Sequence, residues 1–384
     1  MKTVPRDRCV KRFAIAAMLA LAAAPACAFS APTAYLAEYR LYNEALARGD
    51  QAAAVAHSLA AWKAAEESLG DHKTTAVLAY NYGQETVFDD AAAALPAFER
   101  ARALQDAGVA DLPREDLAMF LAYATFRAKG EKPSRAKTLR RALEARDEVG
   151  VAATAESANI WLTLATNDIT NERYKEALAS AARAEASIIS AIPHHYRGRG
   201  QAILLQGLAV LLPVPRSASD VRIAHRHFVR ALNLFPSQKS IDEYDPQFVR
   251  IWAWELAAHS ALESTNEFAK MPKNLIRFSE EPLGSPFEEP YQSNEECNIE
   301  WASRPAPDYP WKAARKGYLG AVLAGYRLSG DLKIHDARIL AEVPDNLFGE
   351  IALEALGNWR LAAPVAALPG CNDNRIAVFR FVID

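Results

Sequence analysis

From residue 33 to about 265 the chain repeats its apolar residues at helical rather than alternating spacing, in a composition rich in Ala, Leu, Glu, Arg and Lys and poor in Gly. Strands are not expected there. A helix with one apolar face is stable only when that face is covered, so a run of such helices must stack on itself. Residues 35–69 read as a helical pair with Gly49-Asp50 as its turn. Further on, Leu212, Pro213, Val214, Pro215 and Arg216 place two prolines too close together for a helix to continue, so residues 213–219 read as a lengthened connection.

The repeat shows best in two windows. Trp161, Leu164, Ala165, Tyr174, Ala177, Ala181 and Ala184 form one, and Ala224, Phe228, Ala231 and Pro236 match the second half of the same pattern. The alternation of one large residue with several small ones lets two antiparallel helices pack closely, and it is the spacing of a tetratricopeptide unit. Looser copies stand at Gly83, Ala94, Phe98 and Ala101 and around residues 136–142, which makes about five helix pairs. Such arrays bury their core pair against pair and leave a concave groove that holds a peptide or protein, so binding is the expected role of residues 33–265. His194, His195, His225 and His227 do not read as a metal site. Residues adjacent or two apart on a helix point away from each other, and no carboxylate or cysteine stands at ligand spacing.

The N-terminus is of another kind. Lys2, Arg6, Arg8, Lys11 and Arg12 precede an apolar stretch, residues 13–24, that ends in Ala26-Cys27-Ala28, the layout of a secretory signal peptide over residues 1–28 with cleavage after Ala28. A lipoprotein acceptor at Cys27 is disfavoured because no Leu lies three residues before it. An uncleaved inner-membrane anchor is the alternative, although the run of about 16 residues is short of the roughly 20 needed to span. Cleavage removes five basic residues and one acidic one, so 44 basic and 47 acidic residues become 39 and 46, a formal charge of −7. That balance argues against nucleic acid as a partner. It also leaves Cys297 and Cys371 as the cysteines of the mature chain. In an oxidising compartment they read as one disulfide, closing a loop of about 75 residues and contributing on the order of 4 kcal/mol. Two unpaired buried thiols are the alternative.

Residues 271–304, with Pro282, Pro286 and Pro290 among acidic and aromatic residues, read as a linker or strap. Residues 305–384 are mixed. A short helix over 311–316 is broken by Gly317 and Gly320; Val322, Ala324, Tyr326 and Leu328 alternate as a half-buried strand. Ser329-Gly330-Asp331 turns into a second strand over 332–340, and Pro344 ends it. Asn346 is placed to cap a helix over 347–361, and a last strand follows in which Ile376, Val378 and Arg380 alternate with Phe379 and Phe381. The fold class is therefore mainly α, a tetratricopeptide-like array followed by a small α+β domain with a three-stranded sheet.

Taken in order, Tyr309-Pro310, Ala314, Gly317, Gly320, Gly330, Pro344, Phe348, residues 352–356, Trp359-Arg360-Leu361, Pro364 and the strand ending Phe379-Arg380-Phe381 resemble the C-terminal domain of the TonB family. The resemblance covers residues 305–384. It implies a periplasmic protein-binding domain that pairs by strand addition with a short segment of an outer-membrane transporter, with Ile376, Val378, Phe379, Arg380 and Phe381 on the candidate edge. Tyr309 and Trp359 read as packing residues. Members of the family carry a membrane anchor coupled to a proton-driven motor and a long Pro-rich spacer, whereas this chain has a signal-like segment and a helical array.

No nucleophile motif, Gly-rich phosphate loop or metal-ligand spacing is evident, and paired carboxylates such as Glu288-Glu289 fall in a loop, so neither an enzyme nor a cofactor is expected. The reading is a periplasmic adaptor whose terminal sheet accepts a partner strand while the repeats hold a second protein. The alternatives are a repeat scaffold whose terminal domain only forms a homodimer or caps the array, and an energy transducer for outer-membrane transport. The last requires the N-terminal segment to stay in the membrane.

Overall fold

The computed structural model describes residues 33–236, 245–263, 300–328, 333–362 and 375–382. The signal-like segment, most of the strap, Cys297, Cys371 and the turn at 329–331 lie outside the described residues. The chain divides after Ala152 into two compact units, a boundary inside the stretch that the sequence reads as one array.

The described residues of the first unit form three helical hairpins: α1 (Thr33–Arg48) with α2 (Gln51–Leu69), α3 (Lys73–Thr86) with α4 (Ala91–Asp106), and α5 (Arg114–Ala128) with α6 (Pro133–Glu148). The first turn is where the sequence places it. Gly49 takes a left-handed φ of 70°, and the Asp50 carboxylate accepts from the Ala53 N–H at 3.1 Å, capping α2. Alanines 54, 61 and 65 are fully buried along α2, which lets neighbouring helices approach closely. Between α3 and α4 the contact is closer still, since a Cβ built on Gly83 would stand 2.6 Å from the Phe98 ring. Phe98 in turn stacks on Phe120 of α5 at 5.7 Å, so one aromatic seam runs through three helices. The Arg146 guanidinium is buried and donates to Asp116 at 2.6 Å, tying α6 to α5.

The second unit continues the pattern with α7 (Ala155–Thr170), α8 (Tyr174–Ala191), α9 (Tyr196–Leu211), α10 (Ala218–Leu232) and α11 (Pro246–Glu263). Trp161, Leu164, Ala165, Ala177, Ala181 and Ala184 are all buried, as are Ala224, Phe228 and Ala231, so both sequence windows mark real helix-to-helix seams. Gly207 repeats the role of Gly83, for a Cβ there would overlap the Phe228 ring. The two prolines occupy the connection between α9 and α10, which ends at the N-cap Ser217. A carboxylate network binds three helices across this stack. Glu185 of α8 accepts from Arg199 (3.2 Å) and Gln206 (2.9 Å) of α9 and from Arg230 (2.8 Å) of α10.

The C-terminal part of this unit is a three-stranded antiparallel sheet in the order β3-β2-β5, built from β2 (Gly320–Leu328), β3 (Ile334–Val343) and β5 (Arg375–Phe381). On one face Val322, Ala324, Tyr326 and Leu328 join Ala377, Phe379 and Phe381 and the helix α13 (Gly349–Gly357) in a common core with Trp359. The other face is not solvated. Ala321 and Leu323 are fully buried, paired in register with Val343 and Ala341, and α11 packs over β2 and β3 on this side. The strand that alternation marks as half-buried is therefore buried on both faces, because the last helix of the array closes the sheet.

Three further expectations change. The helix expected over 347–361 is only α13, and Asn346 does not cap it; with φ of 58° Asn346 forms the turn. The cap comes from β3 instead, where Glu342 accepts from the N–H groups of Leu347, Phe348 and Gly349 at 2.5, 2.5 and 2.9 Å, a carboxylate seated on the positive end of the helix. Trp359 to Leu361 leave the helix, and β4 (Arg360–Leu361) pairs with β1 (Trp301–Ser303), a two-stranded ribbon in residues read as strap.

Candidate interaction site

β5 lies at the rim of the sheet. Each residue from Arg375 to Phe381 is registered against β2, and among the described residues no strand pairs with its other side. The opposite rim is partly engaged, because Lys333 at the start of β3 bridges to Arg360 of the ribbon. An unpaired strand rim presents backbone N–H and C=O groups that an extended chain can match.

The five edge residues divide by face. Phe379 and Phe381 are buried, Phe381 stacking on Phe348 at 4.2 Å and Phe379 meeting Trp359 at 5.6 Å, so their side chains anchor the strand rather than reach a partner. Ile376 is half-buried, Val378 is 36% exposed and Arg380 is exposed. These three share the face opposite the aromatic core, which α11 covers over β2 and β3; on β5, at the rim of that face, Val378 and Arg380 still reach solvent and would meet a neighbouring strand.

The residues that carry the family resemblance have local structural duties. Tyr309 packs edge-on against Phe348 (5.8 Å) and Phe381 (5.7 Å), and its O–H donates to the Tyr318 carbonyl. Burial pushes that phenol well above its ordinary value, so it stays neutral. Pro310 precedes α12 (Trp311–Lys316), and Gly317 closes it with φ of 69°. Gly320 has no room for a side chain, since a Cβ would overlap the Phe348 ring and stand 2.6 Å from the Val343 carbonyl oxygen. Trp359 donates to the Pro305 carbonyl at 3.1 Å, packs against Trp301 and Tyr326, and carries the Arg304 guanidinium 4.3 Å from its ring centre.

The histidines differ from the sequence reading. His195 caps α9, its Nδ1 accepting from Gly198 at 3.0 Å. His227 lies beside Ile223, Arg226 and Arg230 in a shallow groove, and burial, with Arg230, lowers its imidazole below the usual value while Glu185 opposes. His225 faces α11, where Glu255 and His259 converge on it. The fold thus brings a carboxylate to ligand distance of a histidine, against the sequence expectation. The missed signal was Glu255 and His259 four residues apart on one helix face.

These features define a class, a tetratricopeptide-like helical array joined to a three-stranded α+β domain. No family model matches the chain, and no curated protein matches it. Among solved structures it is similar to TPR-like repeats of Podosopora anserina described as kinesin light chain, at 13% identity and a TM-score of 0.38 over 54% of this chain and 97% of that one. A single-residue variant of those repeats gives the same identity and TM-score over 52% and 93%. At that score neither likeness bears on function, which rests on the geometry above.

Proposed function

We propose that this chain is a periplasmic protein-binding adaptor, not an enzyme, whose terminal sheet accepts an extended segment of a partner along β5, as the resemblance to the TonB C-terminal domain implies. The observation that carries it is the pairing of β5 on one side only among the described residues, with Phe379 and Phe381 anchored and Val378 and Arg380 exposed at the rim. The partner class is an outer-membrane transporter, and the helical repeats are the surface for a second protein. The compartment rests on the basic and apolar opening of the sequence, and the acidic balance of the mature chain speaks against nucleic acid.

The test uses the full secreted chain and a synthetic peptide from the periplasm-facing N-terminus of an outer-membrane transporter of the same cell. Saturable binding that Val378→Asp weakens by about tenfold or more supports strand addition. Binding indifferent to Val378→Asp, or no binding at high concentration, overturns it. A dimer by mass that Val378→Asp dissociates would assign the same edge to a second copy of the chain. N-terminal sequencing separates the compartments: a mature protein starting at Phe29 supports the periplasmic form, and a retained segment supports the membrane-anchored energy transducer.

A further inference from the structure

We propose that His225, Glu255 and His259 form a binding site for a divalent transition-metal ion of the zinc class. α10 supplies His225, and α11 supplies Glu255 and His259, one turn apart on the same face. His225 Nε2 stands 2.8 Å from Glu255 Oε1, and His259 Nδ1 stands 3.8 Å from the same oxygen. The two imidazole rings are 5.1 Å apart, and the donor atoms of all three residues lie within 4.8 Å of one another.

A tetrahedral ion with ligands at about 2.0–2.2 Å requires donors about 3.3–3.5 Å apart. The present spacings fall on both sides of that value. The His225–Glu255 contact must open slightly and His259 must swing inward; its side chain is half exposed (50%), so a rotamer change suffices. At 3.8 Å, His259 is beyond hydrogen-bond distance of Glu255 but within ion-pair reach, and its ring also meets that of His225, so the three side chains face one point. Two neutral imidazoles and one carboxylate are the donor set of borderline metals, and a fourth position is left toward solvent. Arg222, one turn before His225, is exposed, so its charge is largely screened. A bound ion would pin α11 to α10.

The experiment is a calorimetric titration of the untagged, metal-free full chain with zinc chloride, repeated with cobalt chloride to read ligand type from the absorption spectrum. The expected result is one ion per chain, a melting temperature that rises with zinc concentration, and affinity lowered about tenfold or more by His225→Ala and by His259→Ala. The control His194→Ala leaves binding unchanged. Absence of binding, affinity indifferent to both substitutions, or a thiolate-to-cobalt charge-transfer band that places the ion on cysteine would each overturn the proposal. Should His225→Ala fail to fold, His259→Gln, at the half-exposed position, decides alone.

Discussion

Arg250 of α11 and Asp345, just beyond β3, meet in a two-pronged ion pair, Nη1 to Oδ1 at 3.1 Å and Nη2 to Oδ2 at 3.0 Å. Their side chains are 21% and 15% exposed, between a surface pair and a buried one. Removing one partner leaves a mostly desolvated charge behind, so Arg250→Ala or Asp345→Asn is expected to lower stability by about 2 kcal/mol in chemical denaturation. The double variant should lose less than the sum, and a double-mutant cycle measures the coupling.

The glycines facing Phe98 and Phe228 give a test in which two effects oppose. Alanine in a helix interior gains about 1 kcal/mol of intrinsic propensity over glycine. Here its Cβ would run into fully buried rings, and overpacking costs about 1–3 kcal/mol. Gly83→Ala and Gly207→Ala should therefore lower the thermal midpoint. Gly357→Ala, with nothing within 4 Å of the added atom, should hold or raise it.

His227 makes stability depend on pH in a defined direction. Burial holds its folded imidazole below the ordinary 6.5, so the unfolded chain takes up the proton first as pH falls. The contribution is whole above that value and is lost as pH drops from neutrality through 6.5 toward the lower folded value. Unfolding free energies measured from about pH 7.5 down to about pH 5, a range that brackets an ordinary imidazole, should fall more steeply for the native chain than for His227→Gln.

Glu342→Ala removes the carboxylate that caps α13 from outside the helix. Three N–H groups lose their acceptor, and a loss of about 1–2 kcal/mol is expected by denaturant titration. Asn346→Ala tests the rival cap, and should act through its left-handed backbone alone.

The contrast between Glu342 and Asn346 shows how far the sequence could be read. Helix hairpins were legible because their contacts are short-range: Gly83 and Phe98 sit on consecutive helices, and a repeated small-to-large pattern betrays them. The alternation of the last strand was legible as well, but not which of its two sets faces inward: Phe379 and Phe381, grouped with the candidate edge by sequence, are buried in the core. What stayed hidden needed tertiary neighbours. A polar residue before a helix suggests a cap, but nothing in the order of residues announces a carboxylate arriving from the preceding strand. Likewise Ala321 and Leu323 are too small and too few to declare a second buried face, and His225 finds Glu255 only because α10 and α11 are packed together.

α11 closes the sheet, and this decides what can be cut from the chain and carried elsewhere. A fragment beginning at residue 305 would leave its cover behind and bare Ala321, Leu323, Ala341 and Val343 to water, an invitation to aggregate. To keep that cover a fragment must include α11, and α11 in turn packs on α10 with Trp254 fully buried against Phe228, so the sheet travels with the helices before it.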